Sequence, residues 1–226
     1  MQISKSVMGV RRLLLIRHGQ YDERDEGTKD LTSTGRKQAA LVGKALDDER
    51  IDAVYASTLL RARTTAALIA EPRKLLVAST PILVECIPTK VGFPVPAATI
   101  RDGRAQADRA YARYFKRSKT HRTELLVCHG NLIRYLVTKA MGMKPVNWRN
   151  LAIYHASITD IRIQSDGRAV LFSYNDVSHL PARLRTMSLK APKTHAKRAK
   201  ASLENPKLDD PAKSRPKESG TKKKGG

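Results

Sequence analysis

The sequence is poor in cysteine and in long hydrophobic runs. Its two cysteines, Cys86 and Cys128, are too few for a disulfide framework and lack the spacing of metal ligands. No apolar run approaches the roughly 20 residues of a membrane-spanning helix, and the run at residues 13–16 is shorter than the core of a signal peptide. These absences argue against a disulfide-stabilised secreted scaffold and a transmembrane segment, and they predict a cytoplasmic location.

Acidic residues are also scarce. The sequence has 21 Asp and Glu against 43 Lys and Arg, which gives a net charge of +22. A surplus of this size predicts salt-dependent attraction to polyanions. Residues 188–226 are rich in Lys, Pro, Ser, Ala and Gly and have almost no large apolar residues, so we expect a disordered tail outside a domain of residues 1–187. The tail has two interpretations, a solubilising appendage and an electrostatic tether to an acidic partner.

Strand-like and helix-like segments alternate through the predicted domain, with no internal repeat. We expect strands near residues 13–16, 51–56, 75–77 and 124–128, a hairpin of residues 156–163 and 169–174, and helices beginning after Thr32 or Thr34 and spanning residues 59–70, 97–117 and 132–141. The alternation is typical of parallel β/α units, and the hairpin adds antiparallel strands. The sequence therefore predicts a three-layer α/β/α fold with a mostly parallel, mixed sheet.

Basic side chains follow three of the predicted strands. In an open α/β sheet the carboxyl ends of strands line the ligand crevice. Here those positions carry Arg17, His18 and Gly19 after the first strand, Ser57 and Arg61 after the second, and His129, Gly130 and Asn131 after the strand at residues 124–128. Two histidines, two arginines and two helix amino termini suit a dianionic phosphoryl group.

These residues resemble a known family. The string Leu15-Ile16-Arg17-His18-Gly19 is similar to the signature of the histidine phosphatase superfamily, whose fold is also called phosphoglycerate mutase-like. Further matches follow in the order of the family: Leu31, Thr32, Gly35, Gln38, Ser57, Arg61, Ala62, Thr65, Ala66, Glu85, His129, Gly130 and Arg134. The resemblance covers roughly residues 12–180, and within the superfamily it looks closest to the mitochondrial phosphoglycerate mutase-like Ser/Thr protein phosphatases.

The resemblance implies a metal-independent phosphomonoesterase that needs no cofactor. His18 is expected to attack phosphorus and form a phosphohistidine, with the phosphoryl oxygens bound by Arg17, Arg61 and His129. Further substrate contacts are expected from Asn131, Gly19 and Gln20. By family analogy, Glu85 protonates the leaving group and activates water, and Asp22 is the competing proton donor.

The stretch between Glu85 and His129 is shorter than in phosphoglycerate mutases, which favours hydrolysis in an open cleft. The helix at residues 97–117 carries many cations, which are either a solvated face or a docking surface for an acidic phosphopeptide. We therefore expect a phosphoprotein substrate. The alternatives are a small-molecule phosphatase for a sugar phosphate or nucleotide, a non-catalytic polyanion-binding module, and a metallohydrolase ligated by His18, His129 and Glu85. The oligomeric state stays open.

The remaining histidines and the single tryptophan show no partner pattern. His121, His155 and His179 are expected to be structural or exposed, Cys128 to be a buried thiol, and Trp148 to lie in the core. The resembling mitochondrial phosphatase has a membrane-targeting extension, whereas about a dozen residues precede the first motif here. For that reason the expectation of a cytoplasmic location is kept.

Overall fold

The structure is a computed structural model that describes residues 9–23 and 27–188. The predicted tail lies outside these residues except for Ser188, so its disorder and the boundary at residue 187 stay predictions. Within the described ranges, no helix combines the length and the apolar character that crossing a bilayer requires.

Six strands and four helices follow one another along the described part of the chain. The strands are β1 (Arg11–Arg17), β2 (Ala53–Ser57), β3 (Val77–Thr80), β4 (Arg122–Cys128), β5 (Ile158–Ile163) and β6 (Ala169–Asp176). The helices are α1 (Ser33–Ala45), α2 (Leu60–Ala70), α3 (Ala97–Tyr114) and α4 (Gly130–Ala140). Thr32 caps α1, since its side chain accepts a hydrogen bond from the Gly35 N–H.

The strands form one sheet in the order β3-β2-β4-β1-β5-β6. The four strands from β3 to β1 are parallel to one another. Strand β5 pairs antiparallel with β1, and β6 pairs antiparallel with β5. The predicted mixed, mostly parallel sheet and the carboxyl-terminal hairpin are thus confirmed.

Alternate side chains of the central strands enter two separate cores. Leu13 and Leu15 of β1 pack in the core that contains buried residues of α3 and α4. Leu14 and Ile16 pack in the core that contains buried residues of α1 and α2. A strand buried on both faces reads as a continuous apolar run, which is why residues 13–16 show no polar alternation. The two cores confirm the predicted α/β/α layering.

Several element boundaries differ by a few residues from the sequence prediction, two of them at a change of backbone conformation. Strand β3 begins at Val77 rather than at residue 75, because residues 71–73 form a 3-10 turn and Lys74 then adopts a left-handed conformation with φ 54°. Helix α3 ends at Tyr114, three residues before the predicted end. Phe115, with ψ 56°, is no longer helical. In both places the backbone conformation of a single residue, Lys74 or Phe115, sets the boundary, and sequence patterns locate such boundaries only to within a few residues.

A buried ion pair links the first residues of β1 and β4. Glu124 is 1% exposed, accepts a hydrogen bond from Arg11 Nε at 2.6 Å, and forms a second ion pair with Arg122 at 2.8 Å. Breaking such a pair leaves a buried charge without its counter-charge, which costs about 3–5 kcal/mol. We therefore expect Glu124→Ala to lower the free energy of unfolding by about this amount in urea titrations.

The matched control is Arg168→Ala in the β5–β6 turn, where the ion pair with Asp166 is 3.8 Å long and both side chains are mostly exposed. Exposed pairs contribute little, so this variant should unfold at the urea concentration of the unmodified chain. An equally small effect for Glu124→Ala would show that the buried pair does not stabilise the sheet.

Candidate active site

The predicted basic residues meet at one edge of the sheet. Strands β1, β2 and β4 run parallel and end at Arg17, Ser57 and Cys128, respectively. His18 follows β1 directly, and its backbone N–H donates to the Cys128 carbonyl at 3.0 Å. The ring of His129, which follows β4, lies 5.0 Å from the His18 ring between centroids. The sheet topology thus brings the two family histidines together.

Two hydrogen bonds define the protonation of the His18 ring. Nδ1 lies 2.8 Å from the Gly19 carbonyl oxygen, which can only accept a proton. Nε2 lies 3.3 Å from Nε of Arg61, which can only donate one. These contacts are compatible with a neutral ring whose proton is on Nδ1 and whose lone pair is on Nε2. Burial lowers the pKa of His18 well below its ordinary value, and the neighbouring His129 and Arg17 side chains act in the same direction.

Arg17 is buried beside His18 and is held by neighbouring groups. One of its terminal nitrogens donates to the Ile153 carbonyl at 2.8 Å, and the other contacts Ser188 Oγ at 2.8 Å and His155 Nε2 at 3.0 Å. Burial lowers the pKa of Arg17 to about 10, which still leaves the guanidinium charged at neutral pH. A fixed cation therefore stands next to the candidate nucleophile.

His129 is fully buried and has one ring nitrogen in a hydrogen bond. Its Nε2 lies 2.8 Å from the Ser57 hydroxyl. Burial, together with the charges of Arg61 and Arg17, lowers the pKa of His129 well below its usual value. The ring is thus neutral at physiological pH, as His18 is.

Two buried polar atoms of this site have no hydrogen-bond partner among the described residues. They are Nε of Arg17 and Nδ1 of His129. A buried donor without an acceptor is costly, and most such groups in proteins are paired. An anion with several oxygens, bound beside His18, would supply the missing acceptors.

Glu85 closes another side of the site. Its Oε1 accepts hydrogen bonds from the backbone N–H groups of Cys86 at 3.2 Å and Asn131 at 3.1 Å. Burial raises the pKa of Glu85, although Arg17 and the backbone donors act in the opposite direction. The carboxyl group therefore keeps its proton to a higher pH than an exposed glutamate does.

Gly19, Gln20 and Asn131, the other residues predicted to contact substrate, make hydrogen bonds within the protein. The Gly19 N–H donates to Thr65 Oγ1 at 3.1 Å, and the Gln20 side chain accepts from the Thr32 hydroxyl at 3.0 Å. The Asn131 side-chain oxygen accepts from Arg134. A Cβ at Gly19 would lie 2.5 Å from the Gly35 carbonyl oxygen, so only glycine fits this approach of the loop to α1. Direct contact of Gly19, Gln20 and Asn131 with substrate stays a prediction, as does the alternative role of Asp22.

Two further aromatic side chains, neither of them predicted as a site residue, lie beside His18. His155, expected to be structural or exposed, is 3% exposed and lies 5.6 Å from the His18 ring. Burial and the Arg17 charge lower its pKa to about 3. The Tyr21 ring lies edge-on to His18 at 5.3 Å and carries the Arg61 guanidinium 4.5 Å from its centroid.

The predictions for His121, His179, Cys128 and Trp148 agree with the structure. His121 is exposed, and His179 is partly exposed and bonded to the Ala156 carbonyl, as expected. Cys86 and Cys128 are buried free thiols, and burial raises the pKa of both. Trp148 is 3% exposed in the core. Within the described part of the chain, no three His, Cys, Asp or Glu side chains are grouped to hold a metal ion.

The cations of helix α3 lie near both ends of the sheet strands, and only some of them are close to the candidate active site. Arg109 lines a cavity of about 510 Å³ that also includes Glu85. Arg113, at the end of α3, instead lines a cavity with Arg11 and Arg122, the first residues of β1 and β4, at the edge opposite His18. Its carboxyl-terminal cations therefore do not face the candidate active site.

Curated proteins similar to this chain are named mitochondrial Ser/Thr-protein phosphatase Pgam5. Those of Drosophila ananassae and Caenorhabditis elegans are 33% and 34% identical over 196 and 191 residues, covering 78% of this chain and 66% of each relative. That of Drosophila persimilis is 38% identical over 189 residues, covering 76% and 65%. The chain thus spans just under two thirds of the length of these relatives.

The names of these relatives contradict the cytoplasmic location predicted from the sequence, and that prediction is wrong. It rested on a low cysteine count and on the lack of an export signal. Neither property distinguishes the cytosol from the interior of an organelle.

Solved structures and a family model agree on the fold. A phosphoglycerate mutase from Plasmodium falciparum is 26% identical, with a TM-score of 0.55 over 77% of this chain and 96% of that chain. A putative α-ribazole-5′-phosphate phosphatase from Escherichia coli is 22% identical and shares the fold, with a TM-score of 0.62 over 74% and 96%. The model of the histidine phosphatase superfamily, branch 1, matches residues 13–90 and 87–176. The chain therefore belongs to the histidine phosphatase superfamily.

Proposed function

We propose that this chain hydrolyses phosphomonoesters by passing the phosphoryl group first to Nε2 of His18 and then to water. The observation that carries the proposal is the pair of hydrogen bonds at His18, in which Gly19 accepts from Nδ1 and Arg61 donates to Nε2. A neutral imidazole with its lone pair among cations is the form that can attack phosphorus.

Binding of the phosphate rearranges one contact in the site. The Arg61 guanidinium exchanges its hydrogen bond to His18 Nε2 for one to a phosphoryl oxygen, which frees the lone pair. Arg17 contributes its Nε, which has no partner within residues 9–23 and 27–188. A Ser57 hydroxyl that donates to Nε2 of His129 leaves the ring proton on Nδ1, where it binds a phosphoryl oxygen. Such prearranged donors supply most of the stabilisation in phosphoryl transfer.

In the first chemical step, the His18 Nε2 to phosphorus bond forms and the ester P–O bond breaks. The departing oxygen takes the proton of the Glu85 carboxyl group, whose raised pKa keeps that proton to a higher pH than in an exposed glutamate. The products of this step are the free alcohol, a phosphohistidine and a Glu85 carboxylate.

The second step reverses the roles. The Glu85 carboxylate removes a proton from water as the water oxygen attacks phosphorus, and the N–P bond breaks. Inorganic phosphate leaves, His18 is neutral again, and Glu85 is protonated. Because the proton that Glu85 gives in the first step returns in the second, the enzyme is unchanged after one cycle.

The substrate class that we propose is phosphoserine or phosphothreonine in proteins. The names of the curated relatives support it, as does the cavity of about 510 Å³ beside Glu85, which offers room for residues flanking the phosphate. The same names support a mitochondrial location. The second candidate is a small phosphomonoester such as a sugar phosphate or a nucleotide.

A panel of substrates distinguishes these candidates. We expect kcat/KM to be at least about tenfold higher for a phosphoserine peptide than for sugar phosphates and nucleoside monophosphates, because flanking residues add binding energy that small substrates lack. Release of inorganic phosphate is the measurement. The non-phosphorylated peptide, added to a small-substrate assay, is the control and should inhibit competitively. A sugar phosphate or nucleotide that exceeds every peptide would contradict the proposed substrate class.

A further inference from the structure

A second cationic cavity lies at the edge of the sheet opposite His18. Its volume is about 390 Å³, within the range of roughly 300–1,000 Å³ of small-molecule sites. It is lined by the first residues of β1 and β4, the end of α3, and the connection from α3 to β4. The phosphatase mechanism uses none of these residues.

The lining of this cavity carries a large positive surplus. Six cations line it, namely Arg11, Arg113, Lys116, Arg117, Lys119 and Arg122. Glu124 is the one carboxylate among the lining residues, all of which belong to the described ranges. It is already shared by Arg11 and Arg122, at 2.5 Å and 2.8 Å. The other four cations are exposed.

Two buried polar atoms in the lining lack partners. Tyr114 is 1% exposed, and its hydroxyl makes no hydrogen bond of normal geometry to a described residue, although the Arg113 guanidinium lies beside the ring, 5.7 Å from its centroid. Nε of Arg122 is likewise buried and unpaired within the described part of the chain. Unpaired buried donors are rare in native structures. Here both occur on residues that line one cationic cavity.

The dipole of helix α3 explains only part of this arrangement. Cations near a helix carboxyl terminus are favourable, which accounts for Arg113 in the last turn of α3. It does not account for Arg122, which begins β4, or for Lys119 in the preceding connection. A solvated basic surface also leaves the Tyr114 hydroxyl unexplained.

We propose that this cavity binds an anion that carries two or more linked phosphoryl groups. Arginines bind phosphate oxygens through several parallel N–H groups, and lysines add point charges. Six cations against one carboxylate exceed what a single dianionic phosphate neutralises. From the buried part of the lining, the Tyr114 hydroxyl supplies an uncharged hydrogen-bond donor and Nε of Arg122 supplies a charged one.

Calorimetric titration of the full chain with inorganic tripolyphosphate tests the proposal. The test variant is Arg117→Gln/Lys119→Gln, in which both residues are exposed. The matched control is Lys37→Gln/Lys44→Gln, which removes the same charge from the exposed side of α1. We expect the test variant to bind tripolyphosphate about tenfold more weakly, because two phosphate-binding cations are lost, while the control binds as the unmodified chain does.

A second variant, Tyr114→Phe, removes only the unpaired hydroxyl. Because no protein hydrogen bond is lost among the described residues, the melting temperature should not fall. The affinity for tripolyphosphate should decrease about threefold to tenfold. The active-site variant His18→Ala/Arg61→Ala should keep the tripolyphosphate site, which separates this proposal from the proposed function.

Four outcomes would overturn the proposal. The control could lose as much affinity as the test variant, Tyr114→Phe could bind unchanged, or binding could disappear in the active-site variant alone. Equal affinity for hexaglutamate would indicate a site for acidic peptides rather than for linked phosphates.

Discussion

His18→Ala should lower kcat/KM for p-nitrophenyl phosphate by at least about 10⁴-fold, the scale of loss when a catalytic nucleophile is removed. The side chain is 2% exposed and provides the lone pair that faces Arg61. Removing it leaves the cations that bind phosphate but takes away the nitrogen that accepts phosphorus. Binding of inorganic phosphate should therefore persist while turnover is lost, as fluorescence titration and release of p-nitrophenol can show.

His121→Ala is the matched control, because it removes an imidazole that is exposed and precedes β4. It should keep full activity, and its melting temperature should change little because the hydrogen bond that His121 Nδ1 accepts from the Val10 N–H lies at the surface. If His18→Ala kept more than about one hundredth of the rate while remaining folded, the nucleophile would be a different group.

Glu85→Gln should slow hydrolysis of a phosphoserine peptide by about 10²–10⁴-fold, the usual contribution of a general acid or base. The amide keeps the size of the side chain and can still accept from the Asn131 N–H, so the fold should persist. Its effect should depend on the leaving group. With p-nitrophenyl phosphate, whose leaving group needs no proton, stopped flow should show a rapid burst of one p-nitrophenol per active site followed by slow turnover.

The pH profile separates Glu85 from Asp22 as the proton donor. Burial raises the pKa of Glu85, so kcat/KM for the peptide should fall only as the pH rises above the usual carboxyl range. The acid limb from His18 should lie at low pH, because the pKa of His18 is lowered. In Glu85→Gln the basic limb should disappear. A basic limb that persists in Glu85→Gln and is lost in Asp22→Asn would assign the proton donor to Asp22.

The arrangement of the parallel strands was predictable because their apolar runs and the residues after them follow general rules. Residues 13–16 and 124–128 read as buried strands, and parallel strands place the groups after them at one edge. From the sequence it was therefore possible to expect His18, Arg61 and His129 at the same edge of the sheet.

The position of His155 was not predictable from residue types alone. It precedes β5, and only the antiparallel pairing of β5 with β1, with Ile158 opposite Ile16, brings the start of β5 to the edge where β1 ends. The sequence predicted the hairpin at residues 156–163 and 169–174 but not which strand the hairpin pairs with. Without its pairing to β1, His155 could not be placed near His18. The contacts of Thr186 and Ser188 with His155 depend on a connection without regular periodicity.

The sequence also could not show that the cations of helix α3 line two different cavities. Helical periodicity shows which side chains share a face, but not which end of the helix lies near the active site. The structure places Arg109 in the cavity with Glu85 and Arg113 in the cavity with Glu124. These residues are four apart, and the packing of α3 along the sheet separates them.

The central claim is that phosphorus becomes bonded to a histidine nitrogen. The direct measurement is to mix the full chain with a ³²P-labelled phosphoserine peptide, quench within milliseconds, and test the stability of the label on the protein. We predict a label that is lost in acid, persists in base, and is absent from His18→Ala. A label that survives acid and is removed by base, or an acid-labile label that persists in His18→Ala, would contradict the account.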